Sequence, residues 1–267
     1  MGLRHGTQTG VEMYRFFVEE NQIDGDRIII RGNDVNHIRN VLRMKPGEEI
    51  CISTGEKLEY HCVLLETGEE EVTAQIRYVQ EKDLELPSRI TLFQGLPKGD
   101  KMDLIIQKAV ELGAAKIVPV AMKRCVVKLD QKKEASRLKR WNAISESAAK
   151  QAKRMIVPQV APVMTFDQAL REGEDCDVLL FPYELARGMG QTREILGRIR
   201  PGQSIGIFIG PEGGFDREEA KQAKEAGASF LTLGRRILRT ETAGMTLLSI
   251  LMFQLEQEEE ENGSISG

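Results

Sequence analysis

The chain has 267 residues and a formal charge of −4, with 29% charged and 41% hydrophobic residues. That composition belongs to a globular protein with one large or two ordinary domains, and it excludes a low-complexity or disordered chain. No apolar run is long enough for a membrane span, and the opening residues lack the apolar stretch of a secretory signal.

Residues 1–12 are expected to be an appended leader with the natural start at Met13, because the strand-like YRFFV follows at once. Residues 13–83 then alternate short strand patterns with turns: RIIIRG, EEICIST, EYHCVLLE and EVTAQIRYV are each alternating or β-branched. One helix interrupts them, with Asp34 as its expected cap and Val35, Ile38, Val41 and Leu42 as its apolar stripe. Lys45-Pro46-Gly47 turns the chain back to a strand. Five or six short strands in about 70 residues predict a small β-barrel. The polar stretch EKDLELPS, residues 81–88, is the expected linker.

From Arg89 the rhythm becomes strand–helix alternation, and residues 84–256 read as a second, α/β domain with a mostly parallel sheet. RITLFQG is a strand. KMDLIIQKAVELG is a helix with Met102, Ile105, Ile106 and Ala109 on one face and Gly113 at its end. KIVPVAM is a strand, followed by a helix from about Lys132 to Lys153 with Leu138, Trp141, Ile144 and Ala148 inward. CDVLLFPYE, SIGIFIG and SFLTLG are three buried strands. Asp216 and Glu219 form a capping box for DREEAKQAKEAG, which Gly227 stops. The last helix is expected from Thr240 to about Glu256, apolar almost all round from Ala243 to Leu255, and therefore buried in the core or against a second subunit. Residues 257–267 read as an acidic, disordered tail.

The acidic total hides a basic segment. Between Lys98 and Arg154 there are 15 Lys and Arg against 6 Asp and Glu, a local excess of +9 that leaves −13 for the rest. A local field of that sign suits a polyanion such as RNA, although a solvated helical face is the commoner origin of a charge run. Cys51, Cys62, Cys125 and Cys176 have no CxxC spacing and form no ligand cluster with His5, His37 and His61, so no metal site is expected. Scattered, reduced thiols fit a cytoplasmic protein.

Two segments carry the chemistry: IFIGPEGGF at 207–215 and LGRRILRTETA at 233–243. Each joins a strand to a helix, and ligands of open α/β sheets bind beyond the strands' C-terminal ends. Gly210, Gly213 and Gly214 let backbone approach a ligand, but the spacing is neither GxGxxG nor a phosphate loop. Glu212 in that loop disfavours a phosphate. Thr240 and Glu241 have a plain role at a helix start, whereas Arg235, Arg236 and Arg239 between a buried strand and an apolar helix need partners or an anion.

These two motifs together resemble the SPOUT superfamily, and closely the bacterial 16S ribosomal RNA (uracil-N3)-methyltransferases. YRFFV, HIRNVLRMKPGEEI, LPKGDKMDLIIQKAVELG and WNAISESAAKQAKRMIVPQV extend the resemblance over about residues 13–256. It implies an N-terminal PUA-like β-barrel, a C-terminal SPOUT domain whose last helix threads a trefoil knot, a homodimer, and S-adenosylmethionine as methyl donor. The implied cofactor residues are Phe181, Pro182 and Glu184; Ile209, Gly210, Pro211, Glu212, Gly213 and Gly214; and Leu233, Gly234, Ile237, Leu238, Arg239, Thr240, Thr242 and Ala243. Expected in catalysis are Arg239, as stabiliser of a uracil anion, and Glu241 or Glu212, as base or orienter. For RNA docking the candidates are Lys98, Lys101, Arg124, Lys133, Arg137, Arg140 and Arg154, extended by Arg15, His37, Arg39 and Arg43. The implied target is uridine 1498 of 16S ribosomal RNA. Other readings are a SPOUT enzyme with another ribosomal or transfer RNA target and a non-catalytic ribosome-assembly factor. A small-molecule oxidoreductase lacks the required glycine spacing.

Overall fold

The computed structural model describes residues 13–263 apart from 56, 128, 129 and 187, without the side chains of 131 and 257–263. The expected leader at 1–12 lies outside the described residues. The chain divides into two compact units, meeting between Leu84 and Glu85.

The first unit is built from β1 (Tyr14–Phe17), β2 (Ile23–Asp24), β3 (Arg27–Arg31), α1 (Asn33–Asn36), β4 (Glu49–Ser53), β5 (Leu58–Thr67) and β6 (Glu71–Glu81). They form one six-stranded sheet in the order β1-β4-β5-β6-β3-β2, antiparallel except for the β1–β4 pair. Strand alternation sends Phe16, Ile28, Ile30, Ile50, Ile52, Cys62, Leu64, Val72 and Ala74 into one core. The helix between β3 and β4 departs from expectation. Gly32, not Asp34, takes the cap position, and the helix widens into a π-turn over His37–Val41. That extra residue per turn keeps Val35 and Ile38 in the core but leaves Val41 exposed.

The second unit contains β7 (Arg89–Gly95), α2 (Lys101–Glu111), β8 (Lys116–Ala121), α3 (Gln131–Gln151), β9 (Gln159–Val160), β10 (Met164–Thr165), α4 (Phe166–Glu174), β11 (Val178–Pro182), α5 (Met189–Leu196), β12 (Ser204–Ile209), α6 (Arg217–Glu225), β13 (Ser229–Leu231) and α7 (Thr240–Gly263). Its sheet runs β10-β8-β7-β12-β11-β13 with β9 beside β8, and every pairing is parallel. The continuous apolar runs of β7, β8 and β12 follow from this, since such a sheet is covered on both faces. Phe93, Phe166, Phe181, Phe208 and Phe215 cluster together in its core, and Trp141 of α3 is buried as well.

The capping box of Asp216 and Glu219 forms as expected on α6. The last helix is longer than expected, reaching Gly263. It packs against α2 and β12. It buries Leu247, Leu248, Leu251 and Leu255 completely while Ile250 and Phe253 remain exposed. Its apolar circumference is therefore covered on one side only within a single chain.

Candidate active site

The second unit carries a cavity of about 430 Å³ at the C-terminal ends of β11, β12 and β13. Small-molecule sites span roughly 300–1,000 Å³. Three segments wall it: Pro182 to Glu184 at the end of β11, Ile209 to Glu212 with Gly214 and Phe215 at the end of β12, and Thr232 to Thr240 with Ala243 after β13. Lys101, the first residue of α2, completes it.

The two C-terminal turns fold against each other, and the Thr240 hydroxyl joins them. It donates to the Gly210 carbonyl at 2.7 Å and accepts from Gln94 Nε2 at 2.8 Å. Gln94 is itself fully buried at the end of β7, so strand, first loop and last helix meet at one hydroxyl. The neighbouring Gly95 has no room for a side chain. A Cβ there would lie 2.7 Å from the Pro211 nitrogen. Gly214 holds φ +67, a conformation that side chains disfavour, and this bends the first loop back toward Glu184.

The floor of the cavity is apolar. Phe215, in its wall, rests on Phe181 with centroids 4.0 Å apart. The rim is charged. Arg235, Arg236 and Arg239 are exposed and make no ion pair or side-chain hydrogen bond among the described residues. Ile237 between them is 89% exposed. Opposite them, Glu212 Oε1 accepts from the Lys98 backbone N–H at 3.1 Å and from Lys101 Nζ at 3.0 Å. Partial burial pushes the Glu212 carboxyl upward, but the Lys101 bond and the backbone N–H groups outweigh it and hold it below the usual carboxylate range. Glu212 is therefore ionised and a weak base. Lys101 Nζ also lies 3.4 Å from Glu241 Oε2. The bond to Glu212, opposed by some desolvation and helped by Glu241, raises the Lys101 ammonium above its ordinary value. Just outside, the Asp216 carboxyl is held low by Lys123 Nζ at 2.9 Å and then by the Glu218 N–H.

Most of the residues expected around a cofactor share this one cavity, and three do not. Phe181 is fully buried behind Phe215, and neither Gly213 nor Thr242 belongs to the wall. The Gly213 carbonyl instead accepts from Arg124 at 3.0 Å. Glu241 also stands off the wall, reaching it through Lys101. Sequence reasoning missed Gln94, Gly95, Phe215 and Thr232. It also assigned Lys101 to RNA, whereas its ammonium is engaged by two carboxylates.

Two of the expected RNA contacts are corrected. Arg15 is 7% exposed and bonded to the buried Glu59. Arg154 is 4% exposed, donating to Glu85 and to the carbonyls of Val110 and Ala114. Neither guanidinium reaches a surface. Arg140 is tied to Asp103, Lys133 to Asp130 at 3.1 Å, and Arg39 to Glu69 at 3.9 Å. His37 is half-buried, edge-on to Phe16. Lys98, Arg124 and Arg43 are exposed and Arg137 half-buried.

The expectation that the cysteines and histidines form no ligand cluster is also corrected. In the first unit Cys51, Glu59 and His61 bring ligand atoms within 4.8 Å of one another. Glu59 is already neutralised by Arg15 and by Lys82 at 3.3 Å, and burial, then the Glu59 charge, push the Cys51 thiol up to about 11. A protonated thiol beside two cations is a poor cradle for a metal ion.

Comparison with known proteins agrees with this geometry. The RNA methyltransferase domain family matches residues 84–252, and the RNA methyltransferase PUA domain family matches residues 30–77. A PUA-like unit followed by a SPOUT methyltransferase fold with its two C-terminal turns forming one cavity defines the class: an RNA methyltransferase. Ribosomal RNA small subunit methyltransferase E of Bacillus subtilis is 37% identical over 250 residues, covering 91% of this chain and 98% of the relative. The chain belongs to that family, the ribosomal RNA small subunit methyltransferases E. A crystal structure of such a protein from Neisseria gonorrhoeae, bound to S-adenosyl methionine, superposes with a TM-score of 0.78 at 38% identity, covering 90% of this chain and 96% of that one. A methyltransferase from Legionella pneumophila in complex with the cofactor SAM superposes at 0.82 with 31% identity, covering 91% and 98%. Among the described residues no helix is long and apolar enough to cross a membrane.

Proposed function

We propose that this protein binds S-adenosylmethionine in the cavity of the second unit and methylates N3 of a uridine in 16S ribosomal RNA, the position implied being uridine 1498. The observation that carries the reading is the single crevice built by both C-terminal turns around the Thr240 hydroxyl. Its apolar floor suits an adenine, and the backbone of Leu233, Ile237 and Leu238 along one wall offers polar groups to the base edge. The bound donor supplies an already activated methyl group, so the protein's task is alignment and activation of the acceptor.

Uracil N3 must lose its proton between two carbonyls. Arg239 stands free at the rim and stabilises the anion that develops on O2 or O4. Glu212, fixed and ionised, orients the acceptor, and Glu241 is the carboxylate left to take the proton. The exposed members of the basic segment, Lys98, Arg124, Lys133 and Arg140, with the half-buried Arg137, face the RNA phosphates, and the first unit adds Arg39 and Arg43. Exposed Ile250 and Phe253 on α7 are the natural seam of a homodimer. Action on small-subunit RNA fits a cytoplasmic location.

The test is direct. The protein is incubated with labelled S-adenosylmethionine and 30S subunits lacking the modification, and the product nucleoside is mapped by mass spectrometry. Label in 3-methyluridine of 16S RNA supports the reading. Label in another nucleoside leaves a methyltransferase with a different target, and donor binding without transfer leaves an assembly factor.

A further inference from the structure

Lys101 occupies an unusual place. It opens α2, far in sequence from both C-terminal turns, yet its ammonium reaches a carboxylate on each: Glu212 Oε1 at 3.0 Å and Glu241 Oε2 at 3.4 Å. Glu241 Oε2 is buried and has no hydrogen bond among the described residues, so this ammonium is its compensation. Glu212 is additionally held by the Lys98 N–H, which belongs to the same turn that leads into α2. The other charged groups around the cavity are Glu184 on one wall and Arg235, Arg236 and Arg239 on the opposite rim, and none of these is paired with either carboxylate among the described residues.

We infer that Lys101 is a positioning residue for methyl transfer: one cation, supplied by α2, pins the carboxylates of both cofactor turns and holds the crevice in register with the incoming base. The inference rests on the reaction proposed above and adds a residue to it. The physical reason is like-charge repulsion. Two carboxylates that share a single ammonium are neighbours, and without it they push apart or one of them binds a proton at higher pH. Either response moves Glu212 or Glu241, and with it a turn whose backbone lines the cavity. A 1 Å misplacement of this kind costs catalysis heavily although no group touching the reacting atoms has been removed.

The experiment compares wild type, Lys101→Met and Lys101→Arg as full-length proteins. Single-turnover methylation of 30S subunits is expected to fall about 10- to 100-fold in Lys101→Met. The acid limb of its pH–rate profile should move to higher pH, and Lys101→Arg should restore most of the rate and the profile. Carbon-13 titration of the glutamate carboxyls gives a readout independent of turnover. The proton affinity of Glu212, which the Lys101 bond now holds down, should rise about tenfold in Lys101→Met. An unchanged rate and pH profile in Lys101→Met, or an arginine variant as impaired as the methionine one, overturns the inference. If wild type transfers no methyl group, the proposed function falls on its own and the carboxyl titration decides the clamp: unchanged proton affinities in Lys101→Met overturn it, and raised ones support it.

Discussion

Two sets of arginines in the second unit meet opposite fates. Arg154, just past the end of α3, is buried and engages all three of its guanidinium nitrogens with Glu85 and the carbonyls of Val110 and Ala114. Arg235, Arg236 and Arg239, around the turn after β13, are exposed and spend none among the described residues. A saturated guanidinium is architecture. An unpaired one at the rim of a crevice keeps its donors available for an anion from outside, the role proposed above for Arg239. The same residue type therefore answers two questions, and its partners decide which.

Substitution separates the two sets. Arg154→Met leaves the half-buried Glu85 without its cation and the buried carbonyls of Val110 and Ala114 without their donor, and is expected to lower the unfolding free energy by about 3 kcal/mol, read by urea denaturation. A loss under about 1 kcal/mol would put Arg154 with the surface charges instead. Arg239→Ala should do the reverse, changing stability by less than about 0.5 kcal/mol while single-turnover methylation drops about 10²- to 10³-fold. An unchanged rate removes it from the proposed chemistry. Asp216 is the intermediate case, a half-buried carboxylate that caps α6 and pairs with Lys123. Its folded pKa is depressed, so its contribution is present above the ordinary aspartate range and fades as pH falls through the folded value. The small gap in urea midpoint between wild type and Asp216→Asn should be full at pH 7 and close below about pH 4. A gap that stays constant with pH would mean that the cap acts without its charge.

The strongly periodic elements were legible in the sequence. The stripe of Met102, Ile105, Ile106 and Ala109 on α2, the capping box of α6, and the runs that became β7, β8 and β12 are all local signals, and local signals survive folding. The short α4 and α5 and the two-residue strands β9 and β10 were not foreseen, since eight or nine residues offer barely two turns of pattern. Partnership was the larger blind spot. Arg15 meets Glu59 across 44 residues, Lys101 meets Glu212 across 111, and Gln94 meets Thr240 across 146. Nothing in the neighbourhood of Arg15 distinguishes it from a residue awaiting phosphate. The two turns that wall the cavity stood out because their glycine, arginine and threonine are concentrated in short segments, while the residues that brace them are scattered along β7 and α2.

The bond from Thr240 to Gly210 also sets an order of events during synthesis. The strand ends near residues 182 and 209 leave the ribosome well before the turn at 232–240 and the helix that buries Leu247 and Leu251. Until that final segment emerges, no nascent chain owns a complete crevice. Donor binding therefore reports that translation of the domain has run to its last helix, and an unfinished polypeptide cannot modify the machine that is making it.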